Sequence, residues 1–218
     1  MSDPPVDPRN SERGAPAGRP AADAIRLFVA LDLGAAARVA LHEQAAPLRA
    51  ALADSVGWVP AANLHLTLRF VGPRPAAFVP RLADGLATAA EVGPAFAMRL
   101  AGVGTFPAGS RPRIVWAGVD PSPALLRLHR AVDEAAARCG IPGEDRPFHP
   151  HVTLGRVRSG ARLDRRAFAA ATPTIDVLAD IHTVDLMEST LAPTGARYRP
   201  LARLALGAPR PAAHVPAR

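Results

Sequence analysis

The pattern His-x-Thr-apolar is written twice, as His65-Leu66-Thr67-Leu68 and His151-Val152-Thr153-Leu154, 86 residues apart. Each copy alternates polar with apolar residues, which is the period of a half-buried β-strand. Residues i and i+2 of a strand share a face. Each copy therefore presents an imidazole and a hydroxyl together, with its aliphatic pair turned into a core. The same shift aligns more than the tetrapeptides. Phe28-Val29-Ala30-Leu31 falls on Ile114-Val115-Trp116-Ala117, the Ala- and Leu-rich stretch 35–53 falls on 121–139, and Met98 and Leu100 fall on Val184 and Leu186. The order strand, helix, His-strand, helix, strand occurs twice, so the chain reads as an internal duplication.

Local signals fill in that frame. Ile25–Leu33 reads as a strand and Ala35–Leu52 as a helix that Pro47 interrupts. Gly57-Trp58-Val59-Pro60 reads as a connector, Leu64–Gly72 as the first His strand, Ala76–Ala90 as a helix and Ala95–Gly104 as a strand. Thr105–Pro112 is a loop between the halves. The second half repeats the order: strand Arg113–Val119, a helix capped by Ser122 and ended by Gly140, then the strand His151–Val157. A short helix over Asp164–Ala170 precedes a hairpin of Ile181–Ser189 and Tyr198–Leu206 around Pro193-Thr194-Gly195. The expected fold is α+β: a bilobal, pseudo-twofold duplicated fold in which two antiparallel or mixed sheets flank a central cleft, with helices outside.

The length of 218 residues suits one domain or two small lobes, and an apolar fraction of 49% is globular. Residues 1–24, rich in Pro, Ala, Gly and charge, read as a disordered leader, and 208–218 as a flexible tail. The ordered body is a single domain over 25–207, with lobes near 25–104 and 112–207 that can exchange strands. No apolar run is long enough to span a bilayer, so a membrane is excluded as partner. Cys139 is the single cysteine, which rules out an internal disulfide and fits a cytoplasmic protein. All 26 basic residues are Arg, and the net charge of +7 favours polyanionic partners.

Two imidazoles facing one cleft suit displacement at phosphorus. The incoming and departing oxygens lie on opposite sides of the phosphorus in an in-line transition state, so one group takes a proton while another supplies one. An imidazole with a pKa near ~6.5 serves either role. The hydroxyls of Thr67 and Thr153 can donate to nonbridging oxygens, where charge accumulates. This scheme requires no metal and no cofactor. It does not say which His is the acid. A metal alternative stays open through His149-x-His151 with Glu144 and Asp145 nearby.

The segments His65-Leu66-Thr67-Leu68-Arg69-Phe70-Val71-Gly72 and Phe148-His149-Pro150-His151-Val152-Thr153-Leu154-Gly155-Arg156 resemble the two signatures of the 2H phosphoesterases. The closer resemblance is to the bacterial RNA 2′,3′-cyclic phosphodiesterases, also called 2′-5′ RNA ligases. Trp58-Val59-Pro60, Asn63, Arg111-Pro112-Arg113, Trp116-Ala117-Gly118-Val119, Glu188-Ser189 and Tyr198 are similar as well. The resemblance implies hydrolysis of an RNA-terminal 2′,3′-cyclic phosphate to a 2′-phosphomonoester; a monomer is the expected state, though the sequence does not fix it. It makes His65 the proton donor, His151 the proton acceptor, and Thr67, Thr153 and Arg156 the phosphate-binding residues.

Strict alternation places Arg156 opposite His151, so its role requires a bulge or the strand's end. Arg69 shares the face of His65 and is a candidate to support the cleft, with a solvated strand-end charge as the alternative, and Phe148 is a candidate to stack a base, with aromatic core packing as the favoured alternative. The expected partners are RNA 3′ ends or small nucleotides bearing a cyclic phosphate. Alternatives are a 2H enzyme acting on small cyclic nucleotides or 2′-5′ linked oligonucleotides, and a non-catalytic arginine-rich RNA-binding protein.

Overall fold

A computed structural model describes residues 24–109, 111–192 and 195–207. Residues 1–23 of the proposed 1–24 leader, the tail 208–218 and the turn residues Pro193 and Thr194 lie outside the described residues, while Ala24, expected in the leader, begins the first strand. The strands are β1 (Ala24–Asp32), β2 (Val56–Trp58), β3 (His65–Pro75), β4 (Phe96–Phe106), β5 (Ile114–Val119), β6 (His151–Val157), β7 (Asp176–Ile181), β8 (Thr183–Ala192) and β9 (Gly195–Ala205). The helices are α1 (Ala35–Gln44), α2 (Ala46–Ala51), α3 (Val79–Ala90), α4 (Pro123–Arg138) and α5 (Arg165–Ala171). None is long and apolar enough to cross a membrane.

The expected α+β architecture is present, with one difference in the sheets. They form a single continuous sheet in the order β7-β4-β5-β6-β3-β1-β8-β9, with β2 also paired to β6, and every pairing is antiparallel. Its two four-stranded halves meet where β3 touches β6, through one register pair, Leu66 opposite Val152. The join thus falls on the middle residue of each His-x-Thr triplet. Strand β4 lies beside β5, and β8 beside β1, so each half of the sheet takes its third strand from the other half of the sequence.

Local chemistry explains the helix boundaries. Pro47 occupies the first turn of α2, where its missing N–H costs nothing, so one long helix becomes two short ones. Pro80 likewise sits in the first turn of α3, and a single 3₁₀ turn over Ala76–Phe78 replaces the start expected at Ala76. Ser122 caps α4 by accepting from the Leu125 N–H at 3.2 Å. Asp164 caps α5 by accepting from Arg166 and Ala167 N–H at 2.9 and 3.0 Å. Gly140, at φ 79°, turns the chain after α4 in a conformation that side chains with a Cβ disfavour.

Two strands lie where the sequence reading placed none. β2 is three residues long and follows the course of β6 from Val56 opposite Val157 to Trp58 opposite Gly155. β7 buries Val177, Ala179 and Ile181 while exposing Asp176, Leu178 and Asp180. Two acids and an outward Leu obscure its alternation. As an outermost strand it gains from those charges, which discourage pairing with another chain. Ile181 therefore ends β7, and the expected hairpin begins at Thr183. One core cluster runs through both halves, from Leu31 and Leu66 to Val152 and Ile181.

Candidate active site

The two His strands share a second irregularity besides their motif. Against β1, Thr67 pairs with Ala30 and Arg69 with Val29, which leaves Leu68 as an extra residue in β3. Against β5, Thr153 pairs with Trp116 and Gly155 with Val115, which leaves Leu154 as an extra residue in β6. A bulge of this kind reverses the alternation beyond it. His65, Thr67 and Phe70 consequently face one way while Leu66, Leu68, Arg69 and Val71 are buried. The same pattern in β6 turns His151, Thr153 and Arg156 outward and buries Val152, Leu154, Gly155 and Val157.

Since Leu66 and Val152 oppose one another in antiparallel strands, continuing that register sets His65 across from Thr153 and Thr67 across from His151. His65 and His151 then hold diagonal positions on one face, and such positions are spaced by about 7–8 Å in a regular pair.

Both rings are held alike. His65 Nδ1 lies 2.7 Å from the Asn63 carbonyl oxygen, and His151 Nδ1 lies 2.7 Å from the His149 carbonyl oxygen. A carbonyl oxygen only accepts, so Nδ1 carries the hydrogen in each ring and Nε2 is left free. Asn63 is itself anchored by its side-chain N–H₂ to the Ala196 carbonyl at 3.1 Å. Rings of Phe28 and Tyr198 flank His65, each with its centroid 5.1 Å away. Those of Phe106 and Trp116 flank His151 at 5.0 and 6.3 Å.

Burial pushes the His65 imidazole below its ordinary pKa. The Arg156 and His151 charges lower it further, against the Asn63 carbonyl and Asp32, which raise it. Burial also lowers His151, with His149 and Arg156 acting the same way against the His149 carbonyl. Burial raises the Tyr198 hydroxyl, and Arg156 opposes that rise. The Arg156 charge thus bears on both imidazoles and on Tyr198.

A model of the 2′-5′ RNA ligase superfamily matches residues 37–192, the segment that contains both His strands. The chain belongs to this family of 2H phosphoesterases. An RNA 2′,3′-cyclic phosphodiesterase of Thermus thermophilus is 36% identical over 194 residues, covering 84% of this chain and 90% of the relative. One from Geobacillus stearothermophilus is 30% identical over 183 residues, and the match covers 84% of this chain but 58% of the Geobacillus protein. The crystal structure of the Thermus thermophilus protein TT0787 superimposes with a TM-score of 0.71 at 30% identity, covering 84% of this chain and 98% of that one.

Within this 2H fold two of the residues expected at the cleft stand elsewhere. Arg69, expected beside His65, is 3% exposed and points inward because the Leu68 bulge reverses its face. Its Nη1 donates to Asp133 of α4 at 3.1 Å and its Nη2 donates to the Pro142 carbonyl, with Glu144 at 3.9 Å. It ties β3 to α4 and to the segment before β6. Phe148, the candidate base-stacking ring, takes the favoured alternative of aromatic packing and is stacked on His129 of α4, with centroids 3.7 Å apart and planes 15° apart. It packs against the core.

Phe70 takes the place that alternation assigned to Arg69. It is 64% exposed and stands in β3 where Arg156 stands in β6. The His149 and His151 rings lie 6.5 Å apart and tilted by 33°. No third His, Cys, Asp or Glu joins them in a ligand cluster among the described residues.

Proposed function

We propose that this chain hydrolyses RNA-terminal 2′,3′-cyclic phosphates to 2′-phosphomonoesters, with His65 and His151 exchanging protons across one phosphorus. The observation that carries this reading is the matched pair of Nδ1–carbonyl bonds on either side of the Leu66–Val152 join. With Nδ1 engaged, a neutral His151 offers its Nε2 lone pair to a water. A protonated His65 offers Nε2–H to the 3′ oxygen. As the water oxygen bonds to phosphorus its proton passes to His151, the P–O3′ bond breaks, and the 3′ oxygen takes the proton of His65. The P–O2′ bond stays, which gives the 2′-phosphomonoester. The names of the Thermus and Geobacillus relatives support this substrate class.

Three further groups serve the phosphate. Thr67 and Thr153 donate hydroxyl hydrogens to its nonbridging oxygens, and Arg156 supplies positive charge that grows in value as charge builds up there. A bound phosphoryl anion also favours the protonated form of the acid and so counters the effect of burial on His65.

The test uses an RNA oligonucleotide ending in a 2′,3′-cyclic phosphate, incubated with the protein in excess EDTA, with the product monoester identified by position. Turnover to the 2′-phosphate is expected. His65→Ala and His151→Ala should each lower it by about 10²–10⁴. Turnover at the original rate in either variant refutes the paired roles.

A further inference from the structure

The two halves match at the imidazoles and differ just beyond them. Ala30 and Trp116 occupy equivalent places, each opposite the Thr of its own motif. Across the strands from His151 the Trp116 indole lies over Gly104 so closely that a Cβ there would come within 2.2 Å of the ring. With Phe106 5.0 Å from Trp116, that direction is filled.

Along β6 the surface is open and cationic. Arg156 faces outward and Val157 is buried, so alternation returns Arg158 to the face of Arg156. The pairing continues beyond the strand, because the Arg158 N–H donates to the Ser55 carbonyl at 2.9 Å. Two residues along an extended chain are about 6.6 Å apart. On the neighbouring segment the Arg113 carbonyl accepts from the Val157 N–H at 2.9 Å, which sets Arg113 beside this row and Arg111 two residues further out. All four arginines are exposed, and Gly57, opposite Arg156 in β2, adds no side chain to the row.

None of the four forms an ion pair among the described residues. Arginines elsewhere on the sheet do: Arg99 with Asp120 and Asp176, Arg199 with Glu188, and Arg203 with Asp185 and Asp32. The 86-residue shift sets Arg111, Arg113, Arg156 and Arg158 on Ile25, Leu27, Phe70 and Gly72. One half of the duplication therefore carries four like charges where the other carries none. Such a cluster repels itself until an anion arrives.

We propose that this row binds the backbone phosphates that precede the terminal nucleotide, so that the site acts on the end of an RNA strand in preference to a cyclic mononucleotide. This rests on the phosphodiesterase reading, in which Arg156 joins the row to the reacting phosphate. The cyclic phosphate closes the 3′ end, so the rest of the strand leaves from the 5′ oxygen and brings one charge per nucleotide. Guanidinium groups take phosphate oxygens two at a time, and each such contact releases counterions.

The experiment compares hexauridylate ending in a 2′,3′-cyclic phosphate with uridine 2′,3′-cyclic phosphate across 50 to 200 mM salt. Contacts to the reacting phosphate are common to both substrates. Arg111, Arg113 and Arg158 should steepen the log–log salt dependence of kcat/KM for the hexamer by about 2, a further loss of roughly 15–20-fold over that range. Arg111→Gln/Arg113→Gln/Arg158→Gln should remove the difference in slope, with turnover of the mononucleotide within twofold of wild type. Arg127→Gln/Arg130→Gln/Arg138→Gln removes the same charge from exposed positions on α4 and should leave the difference in place. Equal slopes for the two substrates in wild-type protein overturn the proposal. So does an equal flattening in the α4 variant, which would make the effect one of net charge. Salt-dependent binding of the hexamer that weakens in the first variant, without turnover of either substrate, keeps the row and refutes the enzymatic reading. Turnover of both with equal slopes does the reverse.

Discussion

Replacing Arg69 by Met separates a structural arginine from a catalytic one. The guanidinium makes two hydrogen bonds from a buried position, to the Asp133 carboxylate and the Pro142 carbonyl. Bonds to a charged group contribute about 1.5–3 kcal/mol each, which sets a gross loss of about 3–6 kcal/mol. Asp133 is 37% exposed, so water restores part of its solvation once the partner is gone. Met also keeps most of the aliphatic packing, and the net destabilisation should be about 2–4 kcal/mol. In a chain of this size that lowers the unfolding temperature by about 5–12 °C. The assay is urea unfolding together with turnover of a cyclic phosphate, at a temperature where the variant is still folded. The structure requires a lower unfolding midpoint with kcat within a few-fold of wild type. A large loss of kcat with an unchanged midpoint would refute the reasoning and return Arg69 to the cleft.

Burial lowers the pKa of both cleft imidazoles, His65 and His151, so between their folded values and the unfolded value near ~6.5 the unfolded chain binds more protons. Their contribution to stability is therefore complete above ~6.5 and is lost as pH falls through the folded values. Urea unfolding followed from neutral to mildly acidic pH should show a steeper decline in wild type than in a His65→Gln/His151→Gln variant, and equal slopes would contradict it. Gly104→Ala drives a methyl group into the Trp116 indole and should cost about 1–3 kcal/mol with a shift in tryptophan fluorescence. An unperturbed Gly104→Ala protein would mean that the half beside His151 is not packed as described.

The His-x-Thr alternation was legible because both triplets precede their bulges, where side chains at i and i+2 still share a face. The bulge at Leu68 was not, since Leu68 looks like an ordinary inward residue, and the one at Leu154 was called for only by the role that the resemblance gives Arg156. Their consequences had opposite signs for two arginines. Arg156 gained the cleft face that its role required, and Arg69 lost it to Phe70. The contrast between Ala30 and Trp116 stood in the aligned halves from the start. The neighbours of the two residues did not, because Ala30 pairs with Asp185 and Trp116 with Gly104, whereas the 86-residue shift sets Arg99 against Asp185. The core packing of Phe148 was open to the sequence as the alternative to base stacking, but its partner was not, because His129 lies on a helix and only the folded chain brings the two rings together.

The most direct measurement is a crystal structure with a uridine–vanadate complex, whose five-coordinate vanadium imitates the in-line transition state. Both Nε2 atoms should lie within about 2.6–3.2 Å of oxygens on opposite sides of the vanadium, with Thr67 and Thr153 on the remaining oxygens. A vanadate held by one imidazole alone, with the other ring turned away from it, would contradict the account.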